Sequence, residues 1–504
     1  MTTSMNASQR LDVAIDAMTK ADKTFRPHQV KGVKWMLNLE QQNMAGILAD
    51  DPGLGKTYQA LSLIASDPAG SQTLIIVPTS IIGQWQEAAI ELLGEGAVRV
   101  HHGPRQRGDI PRCLCVISSY GVVRTEDAIR EKSWHRVIMD EAHFTKNRAS
   151  KISKATKELN ARFRWSLTGT PVQNKKKEIE NLFSWVRGDG PDDNRQLDVS
   201  TWIERNLLRR RKEVVLTDLP EIDIETTAVP FRNKEEEEFY IQVKRNVKRE
   251  FKQLEDQCLT ASEENVIMFE LLLRLRQACQ HPQLVFNGFV RKYVKAKNFV
   301  VARRLQDETK WRNHLSSKHA YLFNEMESHP TESSLVFCQF TEEIRILEKQ
   351  CLNRGIECRC FDGSVAVSTR NSILRECKES TTPIVLLIQI RAGGVGLNLQ
   401  TFSRVYILSP DWNPCNEIQA MARSHRMGQL RNVVVKRLVL QFDKDDLDDK
   451  AKEQCTIDDD IIAIQNTKRG LMATLLKEES LRSNGRDTRK RSGLTKTDYK
   501  RCLT

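Results

Sequence analysis

GILADDPGLGKTYQA, residues 46–60, decides how the chain is read. A phosphate-binding loop has the pattern G-x-x-x-x-G-K-[ST], and Gly55, Lys56 and Thr57 supply its last three positions. The first-glycine position holds Asp50 instead. An apolar, β-rich run, AGILAD (45–50), precedes the loop, and an amphipathic stretch, TYQALSLIAS (57–66), follows it. Glycines between a strand and a helix let backbone N–H groups curl around phosphate oxygens, and the helix N-terminus adds partial positive charge. Lys56 is expected to reach the β- and γ-phosphates, and Thr57 to hold Mg²⁺ through its hydroxyl. Pro52 stiffens the approach and removes one N–H donor.

Outward from the loop, the same alternation recurs. TLIIVPTS (73–80), CLCVISS (113–119), HRVIMDEAH (135–143) and RWSLTGT (164–170) are short apolar runs ending in small or polar residues. Helix-like segments such as SIIGQWQEAAIELL (80–93) lie between them. Strand, polar tip and helix in repetition predict a parallel sheet with helices on both faces. Residues 190–330 read mostly as helix and connector, including KEEEEFYIQVKRNVKREFKQLEDQ (234–257) and NVIMFELLLRLRQACQ (265–280). Strands resume at SLVFCQF (334–340), ECRCFDG (357–363), PIVLLIQI (383–390), RVYILSP (404–410) and VVVKRLVL (433–440). The expected fold class is therefore α/β, with two lobes of parallel sheet flanked by helices and a helical insert between them. In such sheets, ligands bind at the C-terminal strand ends, where the polar tips fall.

The 504 residues suit several domains, and 78 Lys+Arg against 66 Asp+Glu leave a net charge of +12, which favours a polyanionic partner. None of the 12 cysteines forms C-x-x-C; Cys113/Cys115 and Cys358/Cys360 sit in strand-like runs and read as free thiols, which fits a reducing compartment. No signal peptide is visible at the N-terminus, and no apolar run is long enough for a membrane helix. DKDDLDDK (443–450) reads as a solvated loop, and the polar, basic tail from about residue 480, with RKR at 489–491, reads as loose chain.

HRVIMDEAH puts Asp140 and Glu141 at the tip of an apolar strand. Asp140 is expected to hold Mg²⁺ through its water shell, and Glu141 to polarise the attacking water. In QAMARSHRMGQ (419–429), read as a helix, Arg423 and Arg426 lie three apart and are expected to share one face as a clamp on the γ-phosphate.

Taken together over residues 25–470, these segments resemble, in order, the Snf2 class of superfamily 2 helicase-like motors. The resemblance implies two RecA-like lobes, with ATP and Mg²⁺ bound between them. FRPHQ (25–29) resembles the adenine-reading Q motif, which implies Gln29 on the base. DDPGLGKT resembles the family's D-E-M-G-L-G-K-T, so Asp50 belongs where it stands, while Asp51 and Pro52 depart from the pattern. The implied nucleotide set is Gln29, Asp50, Gly53, Leu54, Gly55, Lys56, Thr57, Asp140 and Glu141, with Arg423 and Arg426 from the second lobe. LIIVPTSIIGQW (74–85), SLTGTPVQN (166–174) and IRAGGVGLNL (390–399) resemble segments that meet DNA, which implies contacts at Pro78, Thr79, Thr168, Arg391 and Gly393. Gln389 and Ile390 replace the Ser-Thr usual before R-A-G-G. LLRRRKEVVLTDLP (207–220) resembles the stretch leading out of the first lobe, and SLVFCQFT, FDGS, DWNP and the arginine segment complete the second-lobe set. GGVGLNL and LRLRQACQHPQLV (273–285) lean toward the Rad5/Rad16-like branch, without a RING-type Cys/His cluster. The trimmed layout resembles the baculovirus global transactivators.

The expected organisation is an N-terminal segment (1–24), lobe 1 (25–206), a helical insert and linker (207–329), lobe 2 (330–475) and a basic tail (476–504). The expected function is an ATP-dependent, monomeric translocase on double-stranded DNA that remodels DNA–protein complexes in transcription or repair. Its expected place is the nucleus, or the host nucleus for a viral chain. Chromatin, transcription or repair proteins are its expected partners. A strand-unwinding DNA or RNA helicase and a DNA-binding scaffold with weakened ATPase are the alternatives.

Overall fold

Seven strands form the first sheet: β1 (Ile47–Leu48), β2 (Thr73–Val77), β3 (Val98–His101), β4 (Cys115–Ser119), β5 (Ser133–Asp140), β6 (Asn160–Leu167) and β7 (Leu207–Leu208). Their order is β3-β4-β2-β5-β6-β1-β7, and every pairing is parallel. β2 and β4 are buried along their whole length, as continuous apolar runs require when helices cover both faces. Helix Lys176–Arg187 shows the covering pattern: Ile179, Leu182, Phe183 and Val186 share its buried stripe.

The second sheet has β8 (Ile222–Pro230), β9 (Ser334–Cys338), β10 (Cys358–Phe361), β11 (Val385–Gln389), β12 (Arg404–Ile407) and β13 (Val433–Gln441), ordered β10-β11-β9-β12-β13-β8 and again all parallel. Alternate residues feed opposite cores. Leu335, Phe337, Leu386, Ile388, Val405 and Ile407 pack on one face; Val336, Cys338, Val385, Leu387, Tyr406 and Leu408 pack on the other.

This is a computed structural model, and it describes residues 5–68, 70–103, 110, 112–173, 175–189, 199–255, 260–295, 311, 313–393, 397–443, 455–476 and 502–503. The chain divides into a first unit, Met1–Leu219 with Arg426–Gly428 and Thr474–Glu478, and a second, Pro220–His425 with Gln429–Ala473 and Glu479–Thr504. Each sheet belongs to one unit.

Three strands escape the sequence reading. β3 and β7 are short, and β8 lies in the region read as helix and connector. β8 sits at the sheet edge, and most of IDIETTAVP is exposed or half-buried, so it shows no apolar run. The helices Lys234–Glu255, Ala261–Gln280 and Pro282–Lys295 bury Tyr240, Val247, Leu271, Leu275 and Val285 with Leu440, Phe442 and Ile461, so the insert shares a core with the second unit. Cys502 and Leu503 enter the same core, 5% and 1% exposed, which corrects the reading of the tail as loose chain at its last turn. RKR at 489–491 and nearly all of the 443–450 acidic stretch lie outside the described residues. Among the described residues, the cysteines are free, no helix is long and apolar enough to cross a membrane, and no cluster of three or more His, Cys, Asp or Glu is disposed to hold a metal ion.

Candidate nucleotide site and its family

The loop after β1 turns through two left-handed glycines, Gly53 (φ 95°) and Gly55 (φ 77°), a conformation costly for residues with a Cβ. Gly55 is the N-cap of helix Lys56–Ala65, so the backbone N–H groups of that helix start are available to an anion. Lys56 Nζ donates to the Asp50 and Asp51 carbonyls at 2.7 and 3.3 Å, which folds its charge over the loop. Thr57 follows, half-buried, on the first turn of the helix.

The loop is braced from behind. Arg210 Nε donates to Asp50 Oδ1 at 2.8 Å, and its Nη2 pairs with Asp50 Oδ2 and donates to Gln59 Oε1 at 2.9 Å. Asp50 is fully buried, and Gln59 Nε2 also donates to its Oδ2 at 3.2 Å. The Asp50 side chain therefore serves the shape of the loop. The Ala49 and Asp51 N–H groups donate to the Leu208 and Arg210 carbonyls at 2.7 and 3.0 Å, so the 207–212 stretch runs alongside the loop as an added strand. Removing one member of a buried ion pair costs about 3–5 kcal/mol. Arg210→Met is therefore expected to lower the melting temperature and weaken ATP binding, read by calorimetry and by titration of a fluorescent ATP analogue.

Gln29 packs onto the loop with both ends of its amide engaged: Oε1 accepts from Arg26 N–H at 2.9 Å and Nε2 donates to the Leu54 carbonyl at 3.3 Å. A Cβ on Gly55 would lie 2.2 Å from Gln29 Nε2 and displace that amide, while the left-handed φ is what disfavours any side chain here. The structure gives Gln29 the task of capping helix Pro27–Gln41 and holding Leu54.

Asp140 ends β5. Trp85 Nε1 donates to its Oδ2 and the Glu141 N–H to its Oδ1, both at 2.8 Å, and Tyr120 Oη donates to its carbonyl at 2.7 Å. Burial, then the neighbouring Glu141, push the Asp140 carboxyl up to about 6, against Trp85 and Lys56, which pull it down. Glu141 adopts φ 49°, a left-handed conformation rare outside glycine, and its Oε2 lies 3.2 Å from His143 Nδ1. Lys146 Nζ donates to Gln173 Oε1 at 2.7 Å, tying the segment after the acidic pair to the one after β6. The glycine cradle, the lysine, the threonine hydroxyl and the buried carboxylate make a donor set that fits a nucleotide triphosphate with Mg²⁺.

In the second unit, helix Pro414–Ser424 stops short of the expected arginine clamp. Arg423 lies in its last turn and is buried, while Arg426, counted with the first unit, follows the His425 C-cap in a turn that ends at Gly428 (φ 93°). The Gln429 amide donates to the Gln400 and Ser424 carbonyls at 3.0 and 3.1 Å, which fixes that turn. The two arginines therefore do not share a helical face, and burial lowers the Arg426 pKa.

A model of the SNF2-related domain matches residues 28–284, and one of the helicase conserved C-terminal domain matches residues 317–428. The chain belongs to the SNF2-related family. It is an ATP-hydrolysing, helicase-like enzyme. It is 27% identical over 456 residues to the probable global transactivator of Orgyia pseudotsugata multicapsid polyhedrosis virus, covering 85% of this chain and 89% of that protein. It is 29% identical over 453 residues to the ISWI chromatin-remodeling complex ATPase ISW2 of Saccharomyces cerevisiae, covering 83% of this chain and 39% of that protein. The TATA-binding protein-associated factor mot1 of Aspergillus fumigatus matches at 27% over 537 residues, 92% of this chain and 27% of its own length. The chain thus spans most of the viral relative and well under half of the two fungal ones.

The departures from the SNF2-related pattern have structural places. Asp51 accepts from Lys212 N–H at 3.2 Å and faces Arg209 at 3.7 Å. Pro52 packs so closely on Gly169 that a Cβ there would meet its ring at 2.8 Å. Gln389 Nε2 donates to the Gln339 carbonyl at 3.3 Å, and Ile390 is buried in the second-unit core. Of the residues expected to touch DNA, Thr79 and Arg391 are exposed, Pro78 is buried beside Thr79, and Gly393 ends the short helix Ile390–Gly393. Thr168 is a correction: it is fully buried, and its hydroxyl accepts from the Thr170 N–H at 3.1 Å, so it holds a turn and presents nothing to a ligand outside. Trp85, Tyr120 and Arg210 were missed as site residues, since nothing in their spacing pairs them with Asp140 or Asp50.

Proposed function

We propose that the chain is a DNA-dependent ATPase that moves along double-stranded DNA and remodels protein–DNA complexes. The supporting observation is that one parallel sheet carries both the Lys56 loop, after β1, and the Asp140–Glu141 pair, at the end of β5, in a chain whose relatives are named for chromatin remodelling, TATA-binding protein association and transactivation. The proposed setting is transcription or repair in a nucleus, with chromatin, transcription or repair proteins as partners, and the proposed form is a monomeric motor; the relatives' names speak for the transcription and chromatin part.

In this reading, Gly53, Leu54, Gly55 and the helix start hold the phosphates through backbone N–H groups. Lys56 turns from the Asp50 and Asp51 carbonyls to the β- and γ-phosphates, and Thr57 and Asp140 hold Mg²⁺, Asp140 through water. Bound Mg²⁺ supplies charge neutralisation on the phosphates. Glu141 orients the attacking water, and Arg423 and Arg426 stabilise the charge that develops. Gln29 and Asp50 keep the loop in shape. Thr79, with Pro78 behind it, and Arg391, with Gly393, meet the phosphate backbone, which implies little sequence preference and a strong salt dependence.

ATP hydrolysis by purified protein, measured with no nucleic acid, duplex DNA, single-stranded DNA and RNA, tests the reading, with Lys56→Ala as control. Duplex DNA is expected to stimulate turnover most, and Lys56→Ala to abolish it. Stimulation by single strands or RNA alone would transfer the reading to a strand-unwinding helicase, for which the helicase C-terminal match is the favouring observation. No turnover above the control in any condition would leave a DNA-binding scaffold.

A further inference from the structure

Trp85 has no part in the roles above, yet it is the one indole bonded to the acidic pair among the described residues. It lies on helix Ile82–Leu93, which follows β2 after a single 3₁₀ turn, Thr79–Ile81. That turn exposes Thr79 and Ser80, while the Trp85 ring is 2% exposed. One short rigid segment therefore carries an open surface at its start and a buried donor to Asp140 at its first helical turn.

Sheet register brings the two ends together. β2 pairs β5 with Ile76 beside Met139, so one step further the end of β2 lies level with Asp140. The remaining bonds that hold Asp140, from the Glu141 N–H and Tyr120 Oη, come from other segments. A carboxylate's terminal torsion is soft, so the plane of the Asp140 carboxylate follows whichever donor moves. The Trp85 N–H is the donor attached to the exposed turn.

We infer that Trp85 is a positioning residue that couples occupancy of the Thr79–Ser80 turn by the phosphate backbone of duplex DNA to the orientation of the Asp140 carboxylate. The inference rests on the reading of the chain as a duplex-stimulated ATPase. Backbone engagement at the turn shifts the start of helix Ile82–Leu93, and the indole N–H carries the shift to Asp140. DNA thereby changes turnover without contacting the nucleotide.

The test uses the full chain. Trp85→Phe keeps an aromatic ring and removes the N–H, and a benzothienylalanine at position 85 removes it with near-identical shape. The ratio of duplex-stimulated to DNA-free turnover should fall about tenfold, the scale of one hydrogen bond to a charged group. A merely structural role would lower both rates and leave the ratio intact. The second readout needs no nucleotide. In ¹⁵N-tryptophan-labelled protein, the indole N–H signal missing from either variant should shift when duplex DNA is added to the wild type. An unchanged ratio in the variants, or an indole signal unmoved by DNA that binds, would overturn the coupling. A wild type that duplex DNA does not stimulate would instead overturn the underlying DNA-dependent reading.

Discussion

Glu141→Gln is expected to bind ATP and to turn it over roughly 10²–10⁴-fold more slowly, the range that a positioned proton acceptor contributes. The substitution is nearly isosteric, so the left-handed backbone at φ 49° and the start of the 3₁₀ turn Ala142–Thr145 should survive. It removes the negative charge and leaves the Asp140 carboxylate in place with its Trp85 and Glu141 N–H bonds. Binding of a fluorescent ATP analogue together with phosphate release separates the two effects. Turnover near that of the wild type would remove Glu141 from the chemistry.

Arg136→Met should have the largest effect on stability. Arg136 is fully buried on β5, with Nε and Nη2 on Glu40 at 2.6 and 2.8 Å and Nη1 and Nη2 on Asp67 at 2.6 and 2.8 Å. Arg10 adds bonds to the same two carboxylates at 3.2 and 2.7 Å. Without Arg136, two buried carboxylates share one arginine, a loss of about 3–5 kcal/mol. For a unit of this size, the melting temperature should fall by roughly 6–20 °C. The effect depends on pH. Burial pushes the Glu40 carboxyl up, but Arg136, Arg10 and Trp165 outweigh it and hold it below its ordinary value. A depressed folded pKa gives stability that is present at neutral pH, above the ordinary glutamate value, and lost as pH falls through the lowered folded value. Urea melts at pH 7 and across the acid range should therefore show a steep acid loss in the wild type and a shallower one in Arg136→Met.

The parallel cores were legible because burial on both faces writes itself as apolar runs; TLIIV and SLVFC could be little else. β8 was not, because an edge strand with exposed Asp223 and Glu225 carries no such run. GLGKT and DEAH were legible as local spacing. Their supports were not: Trp85 meets Asp140 across 55 positions, and Arg210 meets Asp50 across 160. Helix periodicity also overran its end at the arginines, since QAMARSHRMGQ has helical composition and only the tertiary bonds of Gln429 show where the helix stops.

The two-residue strand β1 has a consequence for how the protein is made. It lies between β6 and β7, so its second neighbour, Leu207–Leu208, is synthesised long after it. Asp50 and Arg210 are separated by 160 positions, and a ribosome adding about 5–20 residues per second needs on the order of ten seconds or more to cover them. During that interval, Asp50 has no guanidinium and the backbone beside Ala49 and Asp51 has no partner strand. The loop in the nascent chain thus lacks both of these braces until residues 207–210 have emerged.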